Sequence, residues 1–340
     1  MNSNSLGKEV KRSEDKTLYK HTYPGDLVFN MMRAWQGAIG VVKNEGMVSP
    51  AYIVANPNDR LYPRFMNHYF QRETVISQIN NLFYGVTDFR KRLYWSSFVI
   101  ADTVLPSTNE QKNISDFLDK LSETITLHQR KLDLLKRLKQ AYLQKMFPKS
   151  GEKVPEIRFT DFDEKWEQRK LGDIVQITMG QSPNSENYTE NPNDYVLVQG
   201  NADLKNNRVV PRVLTTQITK QAEKGTLILS VRAPVGDIGK TDYDVVIGRG
   251  VAAIKGNNFI YQQLGKMKEN GYWSRYSTGS TFDSINSNDI KEALITIPNE
   301  EEQKKIGTFF KILDNTIALH REKNEALKKI KKAFLSKIFL

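Results

Sequence analysis

The sequence predicts an α+β fold of two tandem α/β modules, each followed by a long helix, with the two helices joined in an antiparallel coiled coil. Three observations predict it. A stretch that starts at Glu110 recurs at Glu302 and keeps a constant offset of 192 residues (302 − 110 and 339 − 147) as far as Phe147 and Phe339. Strand-like segments and turn residues precede both copies, and these preceding segments also resemble each other. Because a long ungapped repeat does not arise by chance, it sets the domain plan.

Each copy of the repeat is predicted to form a long helix. Each follows a proline, Pro106 or Pro298, that ends a strand-like run over residues 98–105 or 293–297. The first turns are acidic and the last turns are basic, which complements the helix dipole, and neither copy has an interior proline. Residues 109–147, which are 147 − 109 + 1 = 39 residues, would form a helix of about 58 Å at about 1.5 Å per residue.

The apolar positions of both helices step by three and four residues, which is the heptad pattern of a coiled-coil seam. A single such helix would expose its apolar stripe, so each copy is expected to pair with the other. The predicted seam residues are Leu118, Leu121, Ile125, His128, Leu132 and Leu135 in the first helix and Phe310, Leu313, Ile317, His320, Leu327 and Phe334 in the second. The two histidines recur at matched places, where a polar residue usually fixes register. Metal binding or catalysis is the alternative interpretation for them.

Composition narrows the classes of function. A length of 340 residues suggests about two domains. The absence of cysteine excludes disulfides and thiolate metal sites and fits a reducing cytosol, so a cytoplasmic location is expected. No apolar run approaches the roughly 20 residues of a membrane span, and the N-terminus lacks the apolar stretch of a signal peptide. A net charge of +11 and a pI of about 9.4 favour a polyanionic partner, most simply nucleic acid.

The repeat divides the chain into five predicted segments: a first module over 1–106, a first spacer helix over 107–147, a linker over 148–165, a second module over 166–298 and a second spacer helix over 299–340. Within module one, residues 64–80 are predicted to form one helix. The second half of module two retraces module one, with Gly225 in the place of Gly25 and residues 248–254 in the place of 48–54. Module two has 225 − 166 = 59 residues before its matched glycine, whereas module one has only 24, so module one is expected to be incomplete at its start.

No catalytic constellation is persuasive in this sequence. Residues 236–241 resemble the end of a phosphate-binding loop, but Pro234 stands where its first glycine is required, and a strand-like run follows where a helix is required. The four histidines are scattered, and the acidic cluster that an autonomous nuclease needs is not found. No cofactor, no metal and no enzymatic activity are therefore expected of the chain alone.

What remains is recognition chemistry. Arginine and glutamine bond guanine and adenine edges, while lysine and arginine also hold phosphates. The candidate DNA-binding residues at turns are Gln181, Ser182, Arg232, Arg249, Ser280 and Thr281 in module two and Arg33, Gln36, Arg90, Lys91 and Arg92 in module one. Each alone also fits an ordinary surface residue, and Arg249 could instead tie its loop through a buried ion pair.

Taken together, these features resemble the DNA-specificity subunits of type I restriction–modification enzymes. The segments that carry the resemblance are 155–159, 166–173, 180–183, 230–237, 248–252 and 277–282 in and before module two and 33–37 and 48–54 in module one. The resemblance covers nearly the whole chain, because the two long helices that open with Glu-Gln after a proline also belong to it. The counterpart of residues 166–173 in module one is missing.

The resemblance implies a non-catalytic subunit that binds double-stranded DNA. Each module would be a target-recognition domain that reads one half of a bipartite, asymmetric site, and the helices would set the gap, with half-sites about 34–36 Å apart. The helices would also dock two methyltransferase subunits, and restriction subunits would join through the complex. Methyl transfer from S-adenosylmethionine and ATP-driven translocation and cleavage would belong to those partners. The short start has three explanations: the reading frame begins late, a separate piece completes the domain, or the subunit is truncated or silent. The alternative function is that of a truncated or silent subunit that acts only as a coiled-coil interaction scaffold.

Overall fold

A computed structural model describes residues 17–85, 91–276 and 284–338. The chain divides into two compact units: unit 1 holds the residues up to Arg130 together with those from Arg321 onward, and unit 2 holds Lys131–His320. The helices are α1 (Pro63–Tyr69), α2 (Glu73–Asn81), α3 (Trp95–Phe98), α4 (Thr108–Lys145), α5 (Asn258–Glu269), α6 (Ser287–Lys291) and α7 (Glu300–Lys337). Each unit therefore combines one module with one part of α4 and one part of α7. Among the described residues, no helix is both long enough and apolar enough to cross a membrane.

The strands are short and lie mainly in unit 2. They are β1 (Lys20–Thr22), β2 (Leu27–Asn30), β3 (Ile39–Val41), β4 (Gly46–Val48), β5 (Tyr52–Ala55), β6 (Glu167–Lys170), β7 (Gln176–Met179), β8 (Tyr188–Thr189), β9 (Tyr195–Val198), β10 (Leu204–Lys205), β11 (Arg208–Val209), β12 (Val213–Thr215), β13 (Gln221–Ala222), β14 (Leu227–Ser230), β15 (Ile238–Lys240), β16 (Val245–Ile247), β17 (Val251–Lys255) and β18 (Leu294–Ile297). The mixture of strands and long helices agrees with the predicted α+β class.

Unit 1 is built on a three-stranded antiparallel sheet in the order β3-β2-β5, and β1 and β4 form a separate pair. Phe29 of β2, Phe65 of α1 and Leu118 of α4 are fully buried in one apolar cluster. The Phe29 ring meets the Phe70 ring edge-on at 5.6 Å. Because α4 buries Leu118 in this cluster, the start of the long helix is part of the core of the first module.

Unit 2 contains a six-stranded sheet in the order β10-β11-β15-β14-β17-β7 and a five-stranded sheet in the order β13-β16-β9-β12-β8. All four residues of β14 are buried, as expected of a central strand covered on both faces. A second core joins the sheets to the helices, where the Phe147 ring lies 5.0 Å from Phe259 and 5.9 Å from Phe310. This core places the end of α4 and the start of α7 against the second module.

The repeat in the sequence is also a repeat in strand register. Leu27 pairs with Val41 and Ala55, and Leu227 pairs with Lys240 and Ile254 in the same central position. The predicted match of residues 248–254 with 48–54 is wrong by one residue. Ala55 corresponds to Ile254, an offset of 199, because the hairpin that precedes it is one residue shorter in unit 2.

Two predictions of secondary structure in module one are wrong. The helix predicted over 64–80 is two helices, α1 and α2, because the chain turns at residues 70–72 and brings the apolar faces of both helices to the core. The strand predicted over 98–105 is absent: Trp95–Phe98 is a short helix, and residues 101–107 form neither helix nor strand. The matching strand predicted before the second helix is confirmed as β18, which pairs with β6.

The long helices run antiparallel within each unit. In unit 1 the Phe117 ring lies 4.8 Å from the Phe334 ring, and the amide of Asn324 donates to the side chain of Gln129 at 2.6 Å. In unit 2 the ammonium of Lys139 lies 2.6 Å from a carboxylate oxygen of Asp314. Residue numbers that increase along α4 thus meet residue numbers that decrease along α7, as antiparallel pairing requires. With 38 residues each, the helices are about 57 Å long.

The predicted seam residues differ in burial. The buried ones are Leu118, Leu132, Phe310, Leu313 and Ile317, and the half-buried ones are Leu121, Ile125, His128, Leu135, His320 and Leu327. Phe334 is 40% exposed although it meets Phe117. The seam residues are therefore less exposed to solvent in unit 2 than at the end of α7.

The glutamine of the repeated Glu-Gln pair braces the start of both helices. The side-chain amide of Gln111 donates to the carbonyl oxygen of Pro106 at 2.9 Å, and that of Gln303 donates to the carbonyl oxygen of Pro298 at 2.9 Å. Both glutamines are buried. This bond explains why proline and glutamine recur together: it fixes the angle at which the chain enters each helix.

Candidate nucleic-acid interface

Three glycines allow the turns of unit 2 to pack against one another at one end of the six-stranded sheet. A Cβ on Gly180 would lie 2.1 Å from the carbonyl oxygen of Gly248, and a Cβ on Gly250 would lie 2.0 Å from that of Gln199. Only glycine permits backbones to approach so closely. The turns after β7, after β9 and between β16 and β17 therefore form one dense unit, which we call the glycine junction.

Three of the predicted residues lie on this junction. The backbone N–H of Gln181 donates to the carbonyl oxygen of Ile247 at 2.8 Å, and the backbone N–H of Arg249 donates to the hydroxyl of Ser182 at 3.1 Å. The side chains of Gln181 and Arg249 are exposed. The main chain is thus fixed from within while a glutamine and an arginine project to the surface.

Arg232 follows β14 and lies at the same end of the sheet. The N–H of Val231 donates to the carbonyl oxygen of Gly250 at 2.9 Å, and the hydroxyl of Ser230 donates to the carbonyl oxygen of Arg232 at 2.9 Å. Arg232 is exposed, as is Arg249. Among the described residues, neither arginine has an acidic partner in an ion pair, so the interpretation of Arg249 as a buried brace is wrong.

In unit 1, predicted DNA-binding residues lie at the corresponding turn, after β2. The side-chain oxygen of Asn30 accepts hydrogen bonds from the backbone N–H groups of Met32 and Arg33, both at 3.0 Å. The turn closes at Gly37, whose φ of +83° favours glycine. Arg33 and Gln36 are exposed on it.

The segment after the undescribed residues 86–90 lies beside this turn. The N–H of Leu93 donates to the carbonyl oxygen of Met31 at 2.8 Å, and the ammonium of Lys91 lies 5.1 Å from the centre of the Trp35 ring. Arg92 is exposed on the same segment. The structure thus brings Arg33, Gln36, Lys91 and Arg92 together. The remaining predicted residues, Arg90, Ser280 and Thr281, lie outside the described residues.

The arginine-bearing turns of the two units are equivalent. Asn30 and Ser230 both end the central strand, and in each case the side-chain oxygen bonds to the backbone of the turn that carries Arg33 or Arg232. The two turns share their origin and an exposed arginine, but the Asn30 oxygen accepts from the N–H of Arg33 whereas the Ser230 hydroxyl donates to the carbonyl oxygen of Arg232.

Comparison with known proteins agrees with this arrangement. Residues 163–329 match the protein family described as the type I restriction modification DNA specificity domain. The chain therefore contains a type I restriction–modification DNA specificity domain. The family match covers the second module and most of α7, which is where the junction and the second arginine turn lie.

Individual relatives and solved structures extend the likeness beyond this domain. A putative type I restriction enzyme MjaX specificity subunit of Methanocaldococcus jannaschii is 29% identical over 243 residues, which are 68% of this chain and 57% of that protein. The chain thus spans just over half the length of that relative. An S subunit of a type I restriction–modification system from M. genitalium has a TM-score of 0.65 at 15% identity, covering 94% of this chain and 84% of that chain. A chain from a study of complex assembly and conformational transition of the type I R-M system has a TM-score of 0.58 at 23% identity, covering 96% and 84%. These structural likenesses support the fold.

The structure adds residues to the specificity domain that the sequence pattern did not single out. Gln199 lies at the glycine junction, and its side-chain amide donates to the hydroxyl of Tyr188 at 2.5 Å. Lys220 is exposed next to the junction, where its carbonyl oxygen accepts from the N–H of Ile247 at 2.8 Å. One signal was available for Gln199, because Gln199-Gly200 directly follows the apolar run of β9.

The displaced pKa values of the described residues occur mainly where helices pack, away from the arginine turns. Burial lowers the pKa of Lys266 to about 8, and its ammonium donates to the carbonyl oxygens of Phe147 and Pro148, both at 3.1 Å, at the end of α4. Burial also lowers the pKa of His68, although its hydrogen bond to Asp119 at 2.8 Å opposes the shift. In the part of the chain that the structure describes, no three His, Asp or Glu side chains are grouped to hold a metal ion.

Proposed function

We propose that the chain is the sequence-specific DNA-recognition subunit of a type I restriction–modification complex. The observation that carries the proposal is the pair of equivalent turns that present Arg33 and Arg232 at the end of the same central strand in each unit. Each unit would read one short half of a bipartite site in double-stranded DNA. The names of the matched family and of the similar M. jannaschii protein support the same function.

The chemistry of the exposed side chains fits this task. Arginine can bond both acceptors of guanine, and glutamine can bond both edge groups of adenine, which suits Arg232, Arg249 and Gln181. Lysine and arginine also neutralise phosphates, which suits Arg92 and Lys220 at the margins of the two sites. Because such contacts release counterions, binding should weaken as salt is raised.

The long helices would dock the methyltransferase subunits. On α4 the side chains of Leu127, Leu134 and Leu138 are 67%, 66% and 43% exposed, and their spacing of seven and four residues places them on one face. On α7, Leu319 and Ile330 are 65% and 44% exposed at the repeat positions of Leu127 and Leu138 (127 + 192 and 138 + 192). An exposed apolar stripe at this spacing is typical of a helix-binding surface. Two equivalent stripes suit two methyltransferase subunits.

The remaining activities would belong to the partners. The proposal makes this chain non-catalytic and cytoplasmic, with S-adenosylmethionine used by the methyltransferase subunits and ATP by restriction subunits that join through the complex. The five predicted segments, from the first module over 1–106 to the second spacer helix over 299–340, are part of this proposal.

Methylation mapping tests the proposal. The chain is expressed with its methyltransferase subunit in cells whose DNA lacks that methylation, and methylated sites are located by long-read sequencing. A bipartite asymmetric motif with a fixed gap is expected. Two identical halves would mean that only module two reads DNA, in a complex with two copies. Absence of any motif would contradict recognition and favour the scaffold function.

A further inference from the structure

The backbone at Gln199 is held firmly within the glycine junction. The backbone N–H of Gln199 and that of Gly200 donate to the same carboxylate oxygen of Asp203, at 2.7 and 3.1 Å, and Asp203 is 3% exposed. Gly250 packs directly on the carbonyl oxygen of Gln199. The backbone from which the side chain of Gln199 projects is therefore fixed on two sides.

The side chain itself is also oriented. One N–H of the Gln199 amide donates to the hydroxyl of Tyr188 at 2.5 Å, and Gln199 is only half-buried. Tyr188 is 38% exposed and belongs to β8, which pairs with β12. This bond uses one donor of the amide and leaves a second N–H and the carbonyl oxygen available.

We infer that Gln199 reads the major-groove edge of an adenine in the half-site bound by unit 2. In that groove adenine offers an N6 amino donor beside an N7 acceptor. The free carbonyl oxygen of Gln199 accepts from the N6 amino group, and the remaining N–H donates to N7. Guanine presents two acceptors and cytosine a donor alone, so neither satisfies both groups of the amide. Because Asp203 fixes the backbone at Gln199 and Tyr188 fixes its amide beforehand, little conformational freedom is lost on binding.

The surroundings of Gln199 agree with contact to DNA. Val198, just before it, shares the backbone of the junction with Gly248, whose N–H donates to the carbonyl oxygen of Val198 at 2.8 Å. The exposed guanidinium of Arg249 follows Gly248 directly, and the exposed Lys220 borders the same junction. A glutamine at the same strand end as these two exposed cations is well placed to reach a base edge while Lys220 holds a phosphate. This inference rests on the proposed function of the chain.

Three variants of the full chain in complex with its methyltransferase subunits test the inference, each on a pool of duplexes with randomised half-sites. Gln199→Ala should relax the preference for adenine at one position of one half-site by about 5- to 140-fold and leave the other half-site unchanged. Gln199→Glu should move the preference at that position toward cytosine, whose amino group donates to a carboxylate. Tyr188→Phe should relax the same position less, because it removes only the group that orients the amide.

Gln168→Ala is the matched control, since Gln168 is an exposed glutamine of the same unit on β6, in a different sheet. It should leave the motif unchanged. A wild-type complex without any sequence preference would overturn the proposed function itself. A wild-type complex with a bipartite motif that stays the same in both Gln199 variants would overturn this inference alone. If Gln199→Ala abolishes all methylation, Gln199→Glu shows whether misfolding is the cause, because a misfolded protein cannot acquire a new preferred base.

Discussion

The two units fold the chain before their long helix in different ways. In unit 2, β18 pairs with β6 in a two-stranded antiparallel sheet. In unit 1, the matching positions 102–105 (294 − 192 to 297 − 192) form no strand, no partner strand is found for them among the described residues, and Val104 is 90% exposed. Both segments end a run rich in the β-branched residues that favour strands. The difference shows that this pattern becomes a strand only where another strand supplies its hydrogen bonds.

Side chains at equivalent repeat positions also differ between the units. Glu302 is fully buried and makes two hydrogen bonds to Arg158, at 2.8 and 2.7 Å, whereas Glu110 at the matching position is exposed. Bonds between a module helix and a long helix also lie at positions that do not match: His68 of α1 bonds Asp119 in unit 1, whereas Gln262 of α5 bonds Asp314 at 2.7 Å in unit 2, and 314 − 119 = 195 differs from the repeat offset of 192. The repeat thus specifies a shared frame, and the surroundings of each copy decide what its polar side chains do.

The largest effect is expected from Arg158→Ala. It leaves the carboxylate of Glu302 buried without its cation, which should destabilise unit 2 by about 3–5 kcal/mol. Glu110→Ala removes the matching exposed carboxylate and should change unit 1 by no more than about 0.5 kcal/mol. Hydrogen exchange followed by mass spectrometry reports the two units separately. Equal losses of protection in both would mean that the two carboxylates are equivalent after all.

A second test addresses what the units share. Gln111→Ala and Gln303→Ala each remove a buried glutamine that bonds the proline carbonyl before a long helix. Each should cost about 1–3 kcal/mol, because the carbonyl loses its partner inside the protein. Urea unfolding of both variants measures the losses. A large loss for one and none for the other would show that the brace works in one unit only.

The third effect is a pH dependence confined to unit 1. Because burial lowers the pKa of His68 below 6.5 in the folded state, the unfolded chain binds a proton more readily there. The stability contributed by neutral His68 is therefore present above about pH 6.5 and is lost as the pH falls through the lower folded pKa. Asp119 from α4, Arg64 from α1 and Lys331 from α7 are the charged groups that act on this histidine.

His68→Gln introduces the residue type of Gln262 in unit 2. It should remove the pH dependence of stability while keeping a bond to Asp119. Thermal unfolding at pH 7.5 and at pH 5.5 compares the two proteins. The inference about His68 fails if the variant and the wild type lose the same stability on acidification.

The smallest effect on folding is expected from Leu127→Ser and Leu319→Ser, because both leucines are more than 60% exposed. Each should change stability by no more than about 0.5 kcal/mol. Both should weaken binding of the methyltransferase subunit by about tenfold or more, since a docked helix would bury the leucine. Titration of the purified subunits measures this. Unchanged binding in both variants would place the docking surface elsewhere.

Features that depend on nearby residues were predictable from the sequence. The helical repeat and the heptad pattern predicted α4 and α7, and the apolar run before Pro298 predicted β18, because these signals are periodic along the chain. The candidate residues Gln181, Ser182, Arg232 and Arg249 were found because they stand at turns after strands.

Features that depend on tertiary contacts were not predictable. The missing strand at 98–105 and the break between α1 and α2 are decided by partners that the local sequence does not show. Gln199 was missed for the same reason: its importance comes from Gly250 and Asp203, which reach it from other parts of unit 2. Sequence periodicity predicts elements, but convergence of turns in space is a property of the fold.

The glycine junction separates residues that tolerate substitution from residues that do not. A side chain on Gly250 would push the carbonyl oxygen of Gln199 and disturb every turn that shares the junction, because backbone atoms have no room to yield. The exposed side chains of Gln181, Arg232 and Arg249 can instead be exchanged singly, since their neighbours are held by backbone bonds and not by them. Under the proposed function, a new target preference would therefore be reachable by one substitution at a time on an unchanged support.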